Sequence, residues 1–209
     1  MVPMTGRDPI EMGMDGAEPE LIRRLSASPC YRALFDAAFP GRSDSPIGFA
    51  TVSRALAAFE RTIVSYDSAW DRAHAGEAPL SAAAARGEAL FAGGAGCASC
   101  HAGRDFTDRA FHRLPGWSAD AEDQGLARET GRAADAGLFR TPPLRNVAAT
   151  APYLHDGSAA TFDEVLAYHG AALAPPDRRA IAAFLASLSD TSLDDDPRFA
   201  LPDPECPVP

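Results

Sequence analysis

The feature that most constrains this chain is a pair of cysteines followed directly by a histidine. Cys97 and Cys100 are separated by two residues, and His101 comes next. Two thiols on one helical turn can each form a thioether with one vinyl group of haem. The adjacent imidazole can then reach the iron as the proximal ligand. The motif therefore predicts one covalently attached haem c, with His101 bound to its iron.

Two other uses of such a motif need partners that the sequence does not offer. A zinc knuckle requires a second close pair of ligands, whereas Cys30 and Cys206 are remote from each other and single. A thioredoxin-type dithiol requires a βαβ context, which is missing. Cys30 and Cys206 are expected to be unpaired thiols.

Apolar residues recur at helical spacing on both sides of the motif, and β-branched residues are sparse. Helices are predicted from Glu18, after Ser28-Pro29, across Phe49–Ile63, from Ser68, after Ser81, across Thr161–His169 and across Pro176–Leu188. No strand pattern is long enough to predict a sheet. The expected fold is all-α, with a partial helical domain at residues 1–79, a cytochrome-c-like haem-binding domain at 80–190 and a loosely ordered tail at 191–209.

The charge balance of the chain excludes some classes of binding partner. The chain has 19 Lys and Arg against 29 Asp and Glu, a formal net charge of −10. Such an acidic chain repels phosphate backbones and anionic membranes, so no nucleic acid partner is expected. No apolar run is long enough for a membrane span. The first residues lack the basic and apolar regions of a secretory signal, although thioether-bound haem implies the periplasm, so a truncated start is expected.

The second axial ligand of the iron must be chosen without methionine, because all four Met precede the motif. In the helix that contains Phe162, His169 lies about 20° from that residue and in the middle of the apolar stripe. Tyr168 lies toward the edge of the stripe and remains an alternative. Without a haem, His169 would be a core histidine. The wider set of downstream candidates is His112, His155, His169, Tyr153 and Tyr168.

Arg140 and Arg145 are predicted to contact the haem propionates, since guanidinium is a planar cation that suits carboxylates. The alternative is that both are ordinary surface residues.

Three segments carry a resemblance to a known family. They are FRTPPLRNVAATAPYLHDG at 139–157, AAFERTIV at 57–64 and DPIEMG at 8–13. Their content and order resemble the bacterial di-haem cytochrome c peroxidases and the related MauG enzymes. The resemblance covers nearly the whole chain.

The resemblance implies two cytochrome-c-like domains, each with its own haem. The C-terminal haem relays electrons, and the N-terminal haem meets hydrogen peroxide. Residues 1–79 are then the end of the peroxidatic domain, whose own haem attachment motif is not in this sequence. His101 resembles the proximal ligand of the electron-transfer haem. His169 stands where peroxidases of the family have Met and MauG-like members Tyr.

The resemblance also suggests an acid–base residue and a calcium site. Glu11 matches the acidic residue beside the peroxidatic haem, where it would move a proton between the peroxide oxygens. Thr150 and Pro152 match positions whose backbone carbonyls help to bind calcium, so calcium is a candidate second ligand of this chain.

Two classes of function follow. One is an oxidoreductase of the cytochrome-c peroxidase type, supplied with electrons by a small redox protein of the cytochrome c or cupredoxin type. A second copy of the chain is a further candidate partner. The other class is a mono-haem electron carrier without enzymatic activity. The number of haem attachment motifs distinguishes them, and this sequence contains one.

Overall fold

The computed structural model describes residues 13–41 and 46–200, and it is mostly helical. The chain divides into two compact units. One contains the described residues up to Val64 together with those from Asp196 onward, and the other is Ser65–Asp195. The second unit thus starts before the predicted boundary at residues 79 and 80. It does so because Trp70, in the helix Ala69–His74, packs against the core of this unit.

The helices confirm the all-α fold class. In chain order they are α1 (Glu18–Ala27), α2 (Pro29–Ala38), α3 (Phe49–Glu60), α4 (Ala69–His74), α5 (Ala82–Ala92), α6 (Ala127–Thr130), α7 (Phe162–Tyr168) and α8 (Pro175–Ser187). Short 3-10 turns occupy Cys97–Ser99, Ala133–Asp135, Val147–Ala149 and Pro197–Phe199. None of these helices is long and apolar enough to cross a membrane.

The first unit has a small core. Phe35, Ile47 and Val52 are buried, and they come from α2, the segment before α3, and α3. The helix α3 ends at Glu60, one turn earlier than the apolar pattern predicts. In the tail that was expected to be loosely ordered, Phe199 packs edge-on against Phe59 with ring centroids 5.9 Å apart.

The second unit is built on the crossing of α5 and α8. A Cβ atom at Gly87 would lie 2.0 Å from the carbonyl oxygen of Ala180 and 2.8 Å from the Cβ of Phe184. Only a residue without a side chain therefore lets the two helix backbones approach this closely. The core beside the crossing consists of Phe91, Phe106, Leu166, Ile181, Phe184, Leu185 and Leu188.

A two-stranded antiparallel ladder lies in the long loop of the second unit. Its strands are β1 (Phe111–His112) and β2 (Phe139–Arg140), with His112 opposite Phe139. The sequence predicted no strand, since two residues on each side are too few to show an alternating pattern. The ladder fixes the backbone on either side of the 113–138 segment.

Candidate haem-binding site

The cysteine motif lies on a tight turn directly after α5. Gly96 has a φ of +72°, in the left-handed region that glycine adopts readily, and the 3-10 turn Cys97–Ser99 follows. Both Cys97 and Cys100 are free, half-buried thiols. Burial raises the pKa of the Cys97 thiol. The turn thus presents two reduced cysteines, as thioether formation requires.

His101 is oriented by a backbone carbonyl. Its Nδ1 lies 3.0 Å from the carbonyl oxygen of Phe106. A carbonyl can only accept, so Nδ1 has the proton and the lone pair of the neutral ring is on Nε2. Burial lowers the pKa of His101, and this effect is opposed by the hydrogen bond to Phe106. A neutral imidazole with a free Nε2 lone pair is the form that binds a metal.

His169 is oriented in the same way. It is the residue directly after α7, and its Nδ1 lies 2.8 Å from the carbonyl oxygen of Val165. The lone pair of the neutral ring is again on Nε2. A capping box between Thr161 and Glu164 fixes the start of the helix.

These donors fit a c-type haem. Two thiols stand ready for thioether bonds, and each of the two imidazoles has its Nδ1 bonded to a carbonyl oxygen, so Nε2 would be the nitrogen that binds iron. Aromatic rings line the region: Phe91 lies 6.5 Å from His101 and 6.3 Å from Phe106, measured between ring centroids. An apolar wall of this kind limits the access of water.

The remaining candidate ligands each have another partner. His112 pairs with Asp108 at 2.7 Å, and His155 stacks on Phe139 with ring centroids 3.8 Å apart. Tyr153 stacks on Phe162. The Tyr168 ring covers Gly116, where a Cβ atom would meet it at 2.4 Å. The positions of these four side chains therefore favour His169 as the second axial residue.

The two arginines differ in their surroundings. Arg145 is nearly buried and donates to both carboxylate oxygens of Asp71, each at 2.8 Å, and also to the carbonyl oxygen of Arg104. Its guanidinium also lies 4.3 Å from the ring centroid of Tyr66. Arg145 thus ties α4 to the segment after β2. Arg140 is exposed on β2. The contact of either residue with a propionate stays a prediction.

Three further predicted residues remain untested. Glu11 lies outside the described residues. Thr150 and Pro152 are exposed, and the hydroxyl of Thr150 donates to the carbonyl oxygen of Val147. Their backbone carbonyls are the groups that the calcium prediction invokes.

Some functional groups were not found from the sequence. The backbone carbonyl groups of Phe106 and Val165 fix the orientation of the two imidazole rings. Because every residue has a backbone carbonyl, the sequence does not show which one will be used. The spacing of four between Val165 and His169 on a helix could have indicated the second contact. The expectation of an unpaired Cys30 is wrong, since Cys30 is in a disulfide bond; the only other non-motif cysteine, Cys206, lies outside the described residues.

A helical unit with a Cys-x-x-Cys-His turn beside two crossing helices, and with two oriented imidazoles, defines the class of c-type cytochromes. The comparisons with known proteins are more specific. The family model "Di-haem cytochrome c peroxidase" matches residues 1–79. The methylamine utilization protein MauG of Methylorubrum extorquens is 38% identical over 169 residues, which are 80% of this chain and 46% of that protein.

Two further similarities agree with this. Cytochrome c551 peroxidase of Pseudomonas aeruginosa is 35% identical over 184 residues, covering 82% of this chain and 53% of that protein. The crystal structure of a MauG-like protein associated with microbial copper homeostasis has 36% identity and a TM-score of 0.86, covering 95% of this chain and 70% of that one. The chain belongs to the di-haem cytochrome c peroxidase/MauG family. It spans about half the length of the curated relatives it matches.

Proposed function

We propose that this chain binds one haem c and relays electrons through it for the reduction of hydrogen peroxide at a second haem. Residues 1–209 contain one attachment motif, at Cys97 and Cys100. When bound, haem supplies an iron that accepts and returns one electron. The chain's own residues attach it, orient its axial ligands and shield it from water.

The observation that carries this proposal is the matched orientation of His101 and His169. The Nδ1 of each ring is bonded to a carbonyl oxygen, at 3.0 Å in His101 and 2.8 Å in His169, so Nε2 would be the nitrogen that binds iron. If His101 and His169 both bound the haem iron, no position on it would remain for peroxide. Such an iron suits electron transfer, at a lower potential than a methionine ligand would give. The relay role therefore follows from the second histidine.

The partners and compartment follow from charge and cysteine chemistry. A small redox protein of the cytochrome c or cupredoxin type would supply electrons, and the net charge of −10 favours one with a basic contact surface. Haem attachment and the disulfide at Cys30 both suit the periplasm, where disulfides persist. Homodimer formation and calcium binding at Thr150 and Pro152 stay predictions.

The axial ligands can be tested on the haem-loaded chain. We expect a low-spin spectrum without the weak near-infrared band of methionine-ligated ferric haem. His169→Ala should give a high-spin iron that binds carbon monoxide, and His169→Met should introduce the band and raise the reduction potential. Tyr168→Phe is the matched control at the adjacent residue and should change neither property. A spectrum that changes in Tyr168→Phe but not in His169→Ala would contradict the assignment.

The relay role has its own test. The haem-loaded chain, mixed with hydrogen peroxide and a reduced small cytochrome, should turn over only at the background rate, because His101 and His169 would together leave no position on the iron for peroxide. His169→Ala should raise peroxide reactivity by freeing one position. Rapid turnover by the unaltered chain would instead mean that it reduces peroxide itself. The single motif also supports a second candidate function, a mono-haem electron carrier, for which no second haem site would accept its electrons.

A further inference from the structure

A carboxylate and an imidazole lie beside the thiol of Cys100. A sulfur, a carboxylate oxygen and a ring nitrogen, from Cys100, Asp108 and His112, all lie within 4.8 Å of one another. Across residues 13–41 and 46–200, no other group of three His, Cys, Asp or Glu side chains is this close. Thiolate, imidazole and carboxylate are the donors that zinc binds in proteins.

The backbone places these three side chains together. The amide of Asp108 donates to the carbonyl oxygen of Cys100 at 2.8 Å, which closes the intervening loop. Arg109 has a φ of +57°, so the chain turns sharply after Asp108 and enters β1, where His112 is paired opposite Phe139. The cluster thus depends on main-chain contacts and does not require a bound ion to form.

The carboxylate is ionised over the whole physiological range. A hydrogen bond from the Ala110 amide is the largest effect on Asp108, and with that from His112 it lowers the pKa to about 2. The Nε2 of His112 lies 2.7 Å from an oxygen of Asp108. The side chains of His112 and Asp108 are 38% and 28% exposed. A metal ion and one water molecule could therefore approach from solvent.

We propose that Cys100, Asp108 and His112 bind Zn²⁺ in the chain before haem is attached, with water as the fourth ligand. The Cys100 thiol loses its proton to solvent as the zinc–sulfur bond forms, and His112 binds as neutral imidazole. Tetrahedral zinc needs ligand atoms about 3.3 to 3.6 Å apart. For zinc to bind, the 2.7 Å hydrogen bond between His112 and Asp108 must lengthen. The ligand atoms that lie farthest apart, within 4.8 Å of each other, must come closer by rotation of their side chains.

Zinc at this position and haem attachment exclude each other. In the thioether the sulfur has no negative charge, so the cluster loses its strongest ligand once haem is bound. Until then, zinc keeps the Cys100 sulfur from forming a disulfide with Cys97. The proposal stands independently of the electron-relay function, since it concerns the chain without haem.

The test uses the full chain produced without haem, with its thiols reduced. Co²⁺ is the spectroscopic probe, and Zn²⁺ should displace it. We expect the visible bands of tetrahedral cobalt and a thiolate charge-transfer band. Cys100→Ala should abolish the charge-transfer band, and His112→Ala and Asp108→Asn should weaken binding at least about tenfold. His74→Ala is the matched control: its Nε2 also lies 2.7 Å from a carboxylate, that of Glu88, and it should change nothing.

Three results would overturn the proposal. One is the absence of a thiolate charge-transfer band in the unaltered chain. A second is equal weakening by Cys97→Ala and Cys100→Ala with no effect of His112→Ala, which would mean that the two motif cysteines chelate the metal. The third is binding by the haem-loaded chain as tight as by the chain without haem.

Discussion

The two units differ in how they use similar apolar stripes. In Ser65–Asp195, α8 buries its stripe: Ile181 and Phe184 are each 1% exposed and contribute to a seven-residue core. In the first unit, α3 buries Val52 but leaves Leu56 and Phe59 at 41% and 48% exposed. The same periodicity thus gives a closed core in one unit and an exposed surface in the other. The two units differ in whether another helix packs closely across the apolar stripe, as α5 packs across α8.

Their ion pairs differ in the same way. Arg145 and Asp71, in the second unit, have side chains only 8% and 15% exposed. Glu20 of the first unit pairs with Arg23 and Arg24 on the open surface of α1, where all three side chains are more than 40% exposed. Solvent therefore screens the Glu20 pairs far more than the Arg145–Asp71 pair. Matched substitutions in the two units can therefore test whether burial determines how much a contact contributes to the free energy of unfolding.

The largest expected difference comes from two phenylalanines. Phe184→Ala should lower the free energy of unfolding of the haem-loaded chain by about 4 kcal/mol, because it leaves a cavity in the closed core. Phe59→Ala should cost less than about 1 kcal/mol, because half of that ring is already in water. Denaturant unfolding followed by haem absorbance and by circular dichroism measures both. Equal costs would show that Phe59 is covered in solution and would break the comparison.

The next effect tests the helix crossing that distinguishes the second unit. Gly87→Ala should destabilise it by about 3 kcal/mol, since the new Cβ would overlap the carbonyl oxygen of Ala180 and force the helices apart. Gly94→Ala is the matched control after the same helix, where a Cβ would meet nothing within 4 Å. Thermal unfolding of both variants gives the difference. If Gly87→Ala behaves like Gly94→Ala, the crossing is looser than the structure shows.

The smallest effect concerns the ion pairs and depends on pH. Burial alone would raise the pKa of Asp71, but hydrogen bonds from Arg145 and Ser68 outweigh it and lower the pKa to about 2. A lowered folded-state pKa stabilises the fold above the unfolded pKa of about 3.9, and this contribution is lost as the pH falls from about 4 to 2. Asp71→Asn should remove about 2 kcal/mol at neutral pH and flatten that acid dependence.

Glu20→Gln is the comparison in the first unit. Hydrogen bonds from Arg23 and Arg24 lower the pKa of Glu20 to about 2 as well, but the group lies on the open surface of α1. We therefore expect no measurable change in stability at moderate salt. Unfolding curves from pH 2 to 7 check both variants. A larger acid effect of Glu20→Gln than of Asp71→Asn would contradict the view that burial decides the strength of these pairs.

Much of the architecture could be predicted because its signals are local. The Ser28-Pro29 break, the Ser81 cap and the apolar stripe of α8 each lie within one or two turns, and the structure has the corresponding helices. After Glu60 the chain continues as a hydrogen-bonded turn and not as the last α-helical turn that the pattern predicts for α3. The unit boundary near Ser65 could not be predicted, because it depends on where Trp70 packs, which is a contact between distant parts of the chain.

The sequence by itself determined the chemistry: two cysteines and a histidine at haem-attachment spacing, a histidine on the apolar side of α7, and no methionine after the motif. The folded backbone decided which nitrogen of each imidazole donates a proton. It did so by bringing the carbonyl of Phe106 to His101 and that of Val165 to His169. Folding also paired Arg145 with Asp71 in a nearly buried ion pair, and it placed Asp108 and His112 beside Cys100. Spacing specifies ligands along a turn, whereas the buried ion pair of Arg145 with Asp71 arises only when segments 74 residues apart in sequence meet.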